Sequence, residues 1–402
     1  MGLRVRQLGG VLVECGDEGV VLDPTRSLHD YPAFVTHSHS DHAAAFKHPE
    51  VSKYSTCETR SILEAMGANR GGRWTRVSPG STTRVGDFEV VALNSGHVLG
   101  SVQYLVHTPE GSVLYTGDLG TEPTFTMDPA TPAECDLLVI ESTFGAPMFR
   151  FLSREELAPM VYQWAVQSVP EGRVPVFKTD SIGNAQEVIS LLNHYTNLPV
   201  VTHGSATKVT QVYRGWGYRL ESVDSKSSEG RELLEGGQCA VVAPKGSRLR
   251  LDDAVEALAS GWARLFNTRR TAFPLSDHAD YRGLLKFISW CKPKRVLTFH
   301  GGSLTRDFHH HISKRLGVSA SPLTSRAESV EGPIYSNEAK VMACARQLKE
   351  VLKMGYVYPH SWLAREMERK GFTAEETHSA LDLLLVHGVV SNGSEGVQRV
   401  KL

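Results

Sequence analysis

Thr36-His37-Ser38-His39-Ser40-Asp41-His42 (THSHSDH) carries the densest chemistry in the chain. Three histidines and an aspartate fall within six residues, directly after the apolar run Ala33-Phe34-Val35. In an extended segment side chains alternate, so His37 and His39 are expected on the same side. Asp41 and His42, beyond the strand, can then reach a neighbouring point. Imidazole nitrogens with carboxylate oxygens suit Zn2+ or another divalent first-row metal and not Ca2+. The competing reading, a polar loop that happens to be rich in histidine, fits this density poorly.

Three further residues arrive in matching contexts: His97 in SGHVLGS, Asp118 in LYTGDLG and His300 in VLTFHGG. Taken singly, a turn aspartate or a core-side histidine is ordinary. Together with THSHSDH they supply two histidine-rich sets and a carboxylate able to bridge them. Two metals about 3.5–4 Å apart can activate a water between them and neutralise a phosphoryl or acyl oxyanion.

These residues stand at the ends of short β-rich runs bounded by Gly, Asp, Asn or Pro: VLVEC, GVVLDPT, AFVTHSH, FEVVALNSGH, VQYLVHT, SVLYTGD and DLLVIEST. Asp23 and Glu141 end two of them. Strand ends and the loops after them are where α/β folds place chemistry. From Arg154 the pattern becomes helix, strand, helix, strand (EELAPMVYQWAVQSV, VPVFKT, NAQEVISLLNHYT, LPVVTHG) and continues to about Arg270. FPLSDHADYRGLLKFISW and KRVLTFHGG then return a helix and a strand. Past Tyr335, helical spacing over 337–355, 361–371 and 373–388 precedes a hairpin, VVSNGSEGVQRV, which suggests a winged-helix module. SVDSKSSEGRE reads as a surface loop. With 402 residues, two or three domains are expected.

HSHSDH, with Asp23 before it and His97 and Asp118 after it, resembles the metallo-β-lactamase superfamily. Glu141 in VIESTFG, His278 in FPLSDHAD and His300 in LTFHGG resemble the further motifs of its β-CASP nuclease branch. The resemblance covers about residues 1–330. ESTFGAPMFR and FPLSDHADYRGLL are similar to the ligase-associated DNA exonuclease group. It implies an α/β fold: an αββα metallo-β-lactamase sandwich (1–165 and 273–335) with an inserted β-CASP α/β lid domain (166–272), to which the helical spacing and hairpin add a small C-terminal winged-helix-like module (336–402). It also implies two divalent metal ions, Zn2+ with Mn2+ the alternative. One would take His37, His39 and His97, the other Asp41, His42 and His300, with Asp118 bridging. Asp23 would orient a ligand histidine. His278 would be the general acid, held by Glu141, and Asp41 and Asp118 would complete the catalytic set.

One departure stands out. IGNAQE resembles the branch's Gly-basic-x-Gln pattern, yet Asn184 occupies the basic position. Lys178, Lys245, Arg269 and Arg270 are the candidate substitutes for its phosphate contact.

The reading implied is a metal-dependent exonuclease on single-stranded DNA ends in repair, with a DNA ligase or helicase as partner. The alternative is an RNA-processing endo- or exoribonuclease of the mRNA 3′-end type, because a histidine at the last motif is typical of RNA-processing members. A small-molecule metallo-hydrolase would not need Glu141, His278 or the lid. A winged-helix DNA-binding regulator would leave the ligand set superfluous. For the C-terminal module, duplex binding, a homodimer and packing on the nuclease core remain open, and Glu375 and Glu376 at the start of its last helix would repel phosphates. His309–His311 cannot share one helix face, so no third metal site is expected there.

Charge and cysteines bound the rest. There are 43 Lys and Arg against 44 Asp and Glu, a formal net charge of -1, so a global basic excess is excluded. The six cysteines include no C-x-x-C pair, which points away from thiolate zinc and toward a reducing, cytoplasmic setting. No uncharged apolar stretch of about 18 residues occurs, so no membrane span is expected.

Overall fold

The computed structural model describes residues 2–26, 30–249, 251–265, 271–330, 344–345, 347–354, 356–370, 372–386, 389–393 and 396–400. Chain contacts divide it into two compact units, 1–332 and 333–402. In the first unit, strands β1 (Leu3–Gln7), β2 (Val11–Cys15), β3 (Glu18–Leu22), β4 (Ala33–Phe34), β5 (Lys53–Ser55) and β6 (Trp74–Arg76) form one sheet in sequence order, with helix α1 (Cys57–Ala65) between the last two. A second sheet takes β7 (Thr82–Val85), β8 (Phe88–Asn94), β9 (Val102–Thr108), β10 (Gly111–Tyr115) and β11 (Leu137–Glu141).

The chain then leaves through helix α2 (Arg154–Ser168) to build a third, parallel sheet. Its strands are β12 (Val174–Thr179), β13 (Val200–Thr202), β14 (Val223–Asp224), β15 (Ala240–Pro244), β16 (Ala254–Ala259) and β17 (Thr271–Phe273). Helices α3 (Asn184–Tyr195), α4 (Ser205–Gly215) and α5 (Ser228–Gly236) connect them. Helix α6 (Tyr281–Cys291) leads back to β18 (Arg295–Phe299), which pairs with β11 in parallel register, Glu141 opposite Phe299. Helix α7 (Phe308–Leu316) and β19 (Ser319–Pro322) extend the second sheet, and β20 (Glu328–Val330) closes the first beside β1.

The layering follows from which faces are apolar. Phe34 of the first sheet meets Tyr104 of the second edge-on at 5.2 Å, and the Tyr104 hydroxyl donates to the Val35 carbonyl at 2.9 Å. Leu284, Phe287, Ile288, Phe308 and Ile312 cover the second sheet from outside, and Phe46 with Leu63 covers the first. Strand β11 is buried on both faces, so it reads LLVIE without polar alternation until its last residue. Helix α2, secured by reciprocal Ser153 and Glu156 capping bonds, packs Leu157, Val161 and Ala165 with α3 and β12 against the third sheet.

One expectation fails here. SVDSKSSEGRE is not a loop: Ser227 caps α5 by accepting from the Gly230 amide at 2.9 Å, and Leu233 and Leu234 pack beneath it. Its polar composition is that of a cap and a solvent-facing helix side.

The second unit contains helices α8 (His360–Arg369) and α9 (Ala374–Val386), and an antiparallel sheet of β21 (Val357–Tyr358), β22 (Val390–Gly393) and β23 (Gly396–Arg399). Leu348, Leu363, Met367, Leu384 and Val397 form its core. The early part of the helix expected over 337–355, Arg269, Arg270 and the side chains of Glu375 and Glu376 lie outside the described residues. Among the described residues no helix is long and apolar enough to cross a membrane.

Candidate metal centre

The loops that follow β3, β4, β8, β10 and β18 deliver Asp23, His37–His42, His97, Asp118 and His300 to one edge of the paired sheets. Strand alternation is not what joins His37 and His39, because β4 ends at Phe34. The Thr36 carbonyl accepts from Val102 N at 2.9 Å, and the amides of His42 and Ala43 both donate to the His39 carbonyl, at 3.1 and 3.0 Å. This tight turn folds the histidines onto one another.

His39 Nδ1 lies 3.0 Å from His37 Nε2 and 3.1 Å from His97 Nε2. Asp118 divides its carboxylate between two sets of partners. Oδ2 stands 3.4 Å from His37 Nε2 and 3.6 Å from His97 Nε2. Oδ1 stands 3.4 Å from His42 Nε2 and 3.2 Å from His300 Nδ1. Asp41 completes the second set, 3.4 Å from His300 Nε2 and 3.7 Å from His42 Nε2.

The nitrogens that face away from the cluster are anchored. Asp23 accepts from the Thr36 amide (2.7 Å), the Thr36 hydroxyl (2.6 Å), the Tyr115 hydroxyl (3.0 Å) and His42 Nδ1 (2.6 Å). Because the Thr36 hydroxyl donates to Asp23, its oxygen is left to accept from His37 Nδ1 at 2.9 Å. His97 Nδ1 donates to the Asp277 carbonyl at 3.1 Å. Each bond puts the proton on Nδ1 and leaves Nε2 as a free donor atom, the arrangement metal-ligating histidines need. Asp23 (φ 47°) and His300 (φ 61°) hold left-handed backbone, which costs non-glycine residues about 1–3 kcal/mol and clusters at functional sites.

Electrostatics separate the two sets. Among the protein groups alone, burial pushes His39 and His97 down to about 4 and holds His37 well below the ordinary value. Burial also opposes charge on His42 and His300. There the carboxylates prevail: Asp118 and Asp23 hold His42 well above its usual value, and Asp118 with Asp41 lifts His300 to about 9. His42 Nε2 is buried without a hydrogen bond while facing two carboxylates. A lone pair turned toward oxygen anions is satisfied by a proton or a cation. The ligand atoms of His37, His39, His97 and Asp118, and those of Asp41, His42 and His300, each lie within 4.8 Å of one another. The His/Asp cluster is therefore a donor set that fits metal ions.

Beside it, Glu141 is fully buried, accepts from the Leu119 amide at 2.7 Å, and holds His278 Nδ1 at 2.9 Å. His278 Nε2 turns toward the cluster, 3.9 Å from Asp118 Oδ2. Burial opposes its charge, but Glu141 and Asp118 raise it to about 10.

A match to the family described as "Zn-dependent metallo-hydrolase RNA specificity domain" covers residues 266–321, which contain His278 and His300. A protein of Opitutus terrae named "Probable DNA ligase" is 31% identical over 79% of this chain and 33% of its own length. RNase aCSPSF2 of Saccharolobus solfataricus is 26% identical over 52% of this chain and 51% of its own. The 5′ exonuclease Apollo of Gallus gallus is 25% identical over 67% and 59%. The chain belongs to the metallo-β-lactamase superfamily, in its β-CASP nuclease family. It spans less than two thirds of the length of each of these relatives. A crystal structure of a protein of unknown function from Enterococcus faecalis superposes with a TM-score of 0.61 at 14% identity, over 82% of this chain and all of that one, a likeness of fold alone.

In this β-CASP family member the cluster floors a cleft of about 650 Å³ that the third sheet's loops overhang with Asp180, Ser181 and Asn184. Asn184 is buried and donates weakly to Asp180 at 3.3 Å. Of the substitutes, Lys245 lines the cleft, bonded to Asp180 at 2.6 Å and Ser260 at 3.1 Å. Lys178 is turned to the Ser247 carbonyl. The sequence pattern by itself singles out none of Thr36, Tyr115 and Asp277. Thr36 opens the quoted motif and Asp277 adjoins His278, so adjacency was the available signal. The His309–His311 triplet lies on α7 and joins no metal-type cluster among the described residues.

Proposed function

We propose that this protein is a metal-dependent nuclease that hydrolyses phosphodiester bonds at single-stranded DNA ends. The observation that carries the reading is Asp118, one oxygen toward each histidine set, with the His278–Glu141 pair beside it. Two divalent ions, Zn2+ first, would be held by His37, His39, His97 and by Asp41, His42, His300 across Asp118. They would supply Lewis acidity to a phosphoryl oxygen and a nucleophile at neutral pH. The chain's own groups do the rest. Asp23, Thr36 and the Asp277 carbonyl fix imidazole orientation. Glu141 keeps the proton of His278 on Nδ1 engaged and turns Nε2–H toward the cluster, where it can be given to the departing oxygen.

The relative named as a probable DNA ligase, similar over most of this chain, favours DNA ends and a ligase partner. The RNA reading rests on the RNA specificity domain match across His278 and His300 and on the RNase relative. We read 166–272 as the β-CASP lid, supported by its separate parallel sheet, and 336–402 as winged-helix-like, supported by α8, α9 and the three-stranded sheet.

Metal-loaded protein incubated with end-labelled single-stranded DNA and RNA of one sequence tests this. Cutting of DNA is expected, with product ladders separating exonuclease from endonuclease. Asp41→Asn and His278→Ala should lower the rate, the latter by about 100- to 10,000-fold. If both variants cut as well as wild type, the assignment is wrong; preference for RNA selects the second reading.

A further inference from the structure

Besides its metal-ligand floor, the cleft has an aromatic wall that the chemistry just described does not use. Phe144 and Trp262 line it, with Ile182 and Met66 nearby. Trp262 leans on Phe144 at 4.7 Å between ring centroids and on Phe149 at 5.5 Å, both of which are 1% exposed. Phe144 in turn stands edge-on to the His278 imidazole at 5.7 Å. The indole is therefore fixed from behind by buried rings while it contributes to the cleft surface. The approach is built in: a Cβ on Gly261 would come within 2.5 Å of the Phe144 ring, so glycine lets this segment carry Trp262 to the wall.

We propose that Trp262 is the platform on which the protein stacks an unpaired nucleobase beside the phosphodiester it cuts. The inference rests on the nuclease reading and deepens it to the strand state of the substrate. A ring held rigid loses little entropy on stacking, and every base offers a π-face, so such a platform selects unpaired bases without selecting sequence. The cleft's charge fits the same occupant. Lys47 lines it, as does Lys245 in its ion pair with Asp180, and the proposed metal ions would add positive charge for the phosphates on either side of a stacked base. Its volume of about 650 Å³ is that of a ligand-sized site rather than a duplex groove.

The test is a double-mutant cycle on the metal-loaded protein. Single-stranded DNA oligonucleotides lacking one base, with the gap moved position by position, are cut by wild type, Trp262→Leu and Trp262→Phe. Trp262→Leu should raise KM on the intact strand by roughly 5- to 100-fold with little change in kcat. One gap position should cost wild type a similar factor and cost Trp262→Leu almost nothing more, because the lost partners are the same. Trp262→Phe, which keeps a ring, should recover most of the binding and serves if the leucine variant misfolds. A merely structural tryptophan would make the two losses multiply at every position, and that result overturns the inference while the nuclease reading stands. Wild type that neither binds nor cuts these strands overturns both.

Discussion

At the scale of single residues, the site depends on groups that touch no substrate. Asp23 accepts four hydrogen bonds, so its carboxylate is fully committed to the Thr36 loop, Tyr115 and His42. Asp23→Asn keeps a residue that tolerates left-handed backbone but turns an N–H2 toward donors. Metal affinity, measured by competition with a chromogenic chelator, is expected to fall about 10- to 100-fold with the fold retained by circular dichroism. Thr36→Val removes the acceptor for His37 Nδ1 at nearly constant volume, and a loss of about 10-fold is expected in the same assay. Unchanged affinity in both would deny these residues their orienting role. Histidines and aspartates declare metal chemistry by type and spacing. Thr36 acts through a hydroxyl any threonine has, and Asp277 holds His97 through a main-chain carbonyl, which no residue type encodes.

Elements show the same division. The parallel strand β11 was legible as an apolar run ending in Glu141, since burial on both faces leaves an unbroken signature, and β18 as a short run just before His300. Strand β4, two residues long, carries no periodicity, so the geometry of His37 and His39 had to come from tertiary bonds. The start of α3 is another tertiary device. Gly183 has φ 84°, and a Cβ there would meet Asp277 Oδ2 at 2.3 Å, so the loop of the third sheet approaches the candidate metal site only through glycine. Gly183→Ala is expected to destabilise the protein by about 1–3 kcal/mol. It should also weaken metal binding, because Asp277 must move and its carbonyl anchors His97. Urea unfolding and metal titration read the two effects; a stable variant with native metal affinity would show that this contact carries no load.

For the whole molecule, a net charge of -1 sits oddly with a polyanionic substrate until the proposed ions are counted, since two divalent ions add about four formal charges that a residue tally omits. The same site then makes metal uptake depend on pH. Burial already keeps His37, His39 and His97 neutral near pH 7, so metal entering that set displaces almost no protons. His42 and His300 are raised, His300 to about 9, so both carry protons at pH 7.5 and must lose them to ligate. Full loading is therefore expected to release about two protons. Affinity at the Asp41, His42, His300 set should rise with pH through about 9, where His300 loses its proton, while the other set stays nearly flat above about pH 6. Calorimetric titration of metal into the protein, repeated at one pH in buffers of different ionisation heat, counts those protons. His300→Ala should lower the count by about one, and His97→Ala should leave the count at the remaining set unchanged. Equal proton release from both sets would mean that the carboxylates around His42 and His300 do not hold them charged, and the electrostatic asymmetry of the centre would have to be abandoned.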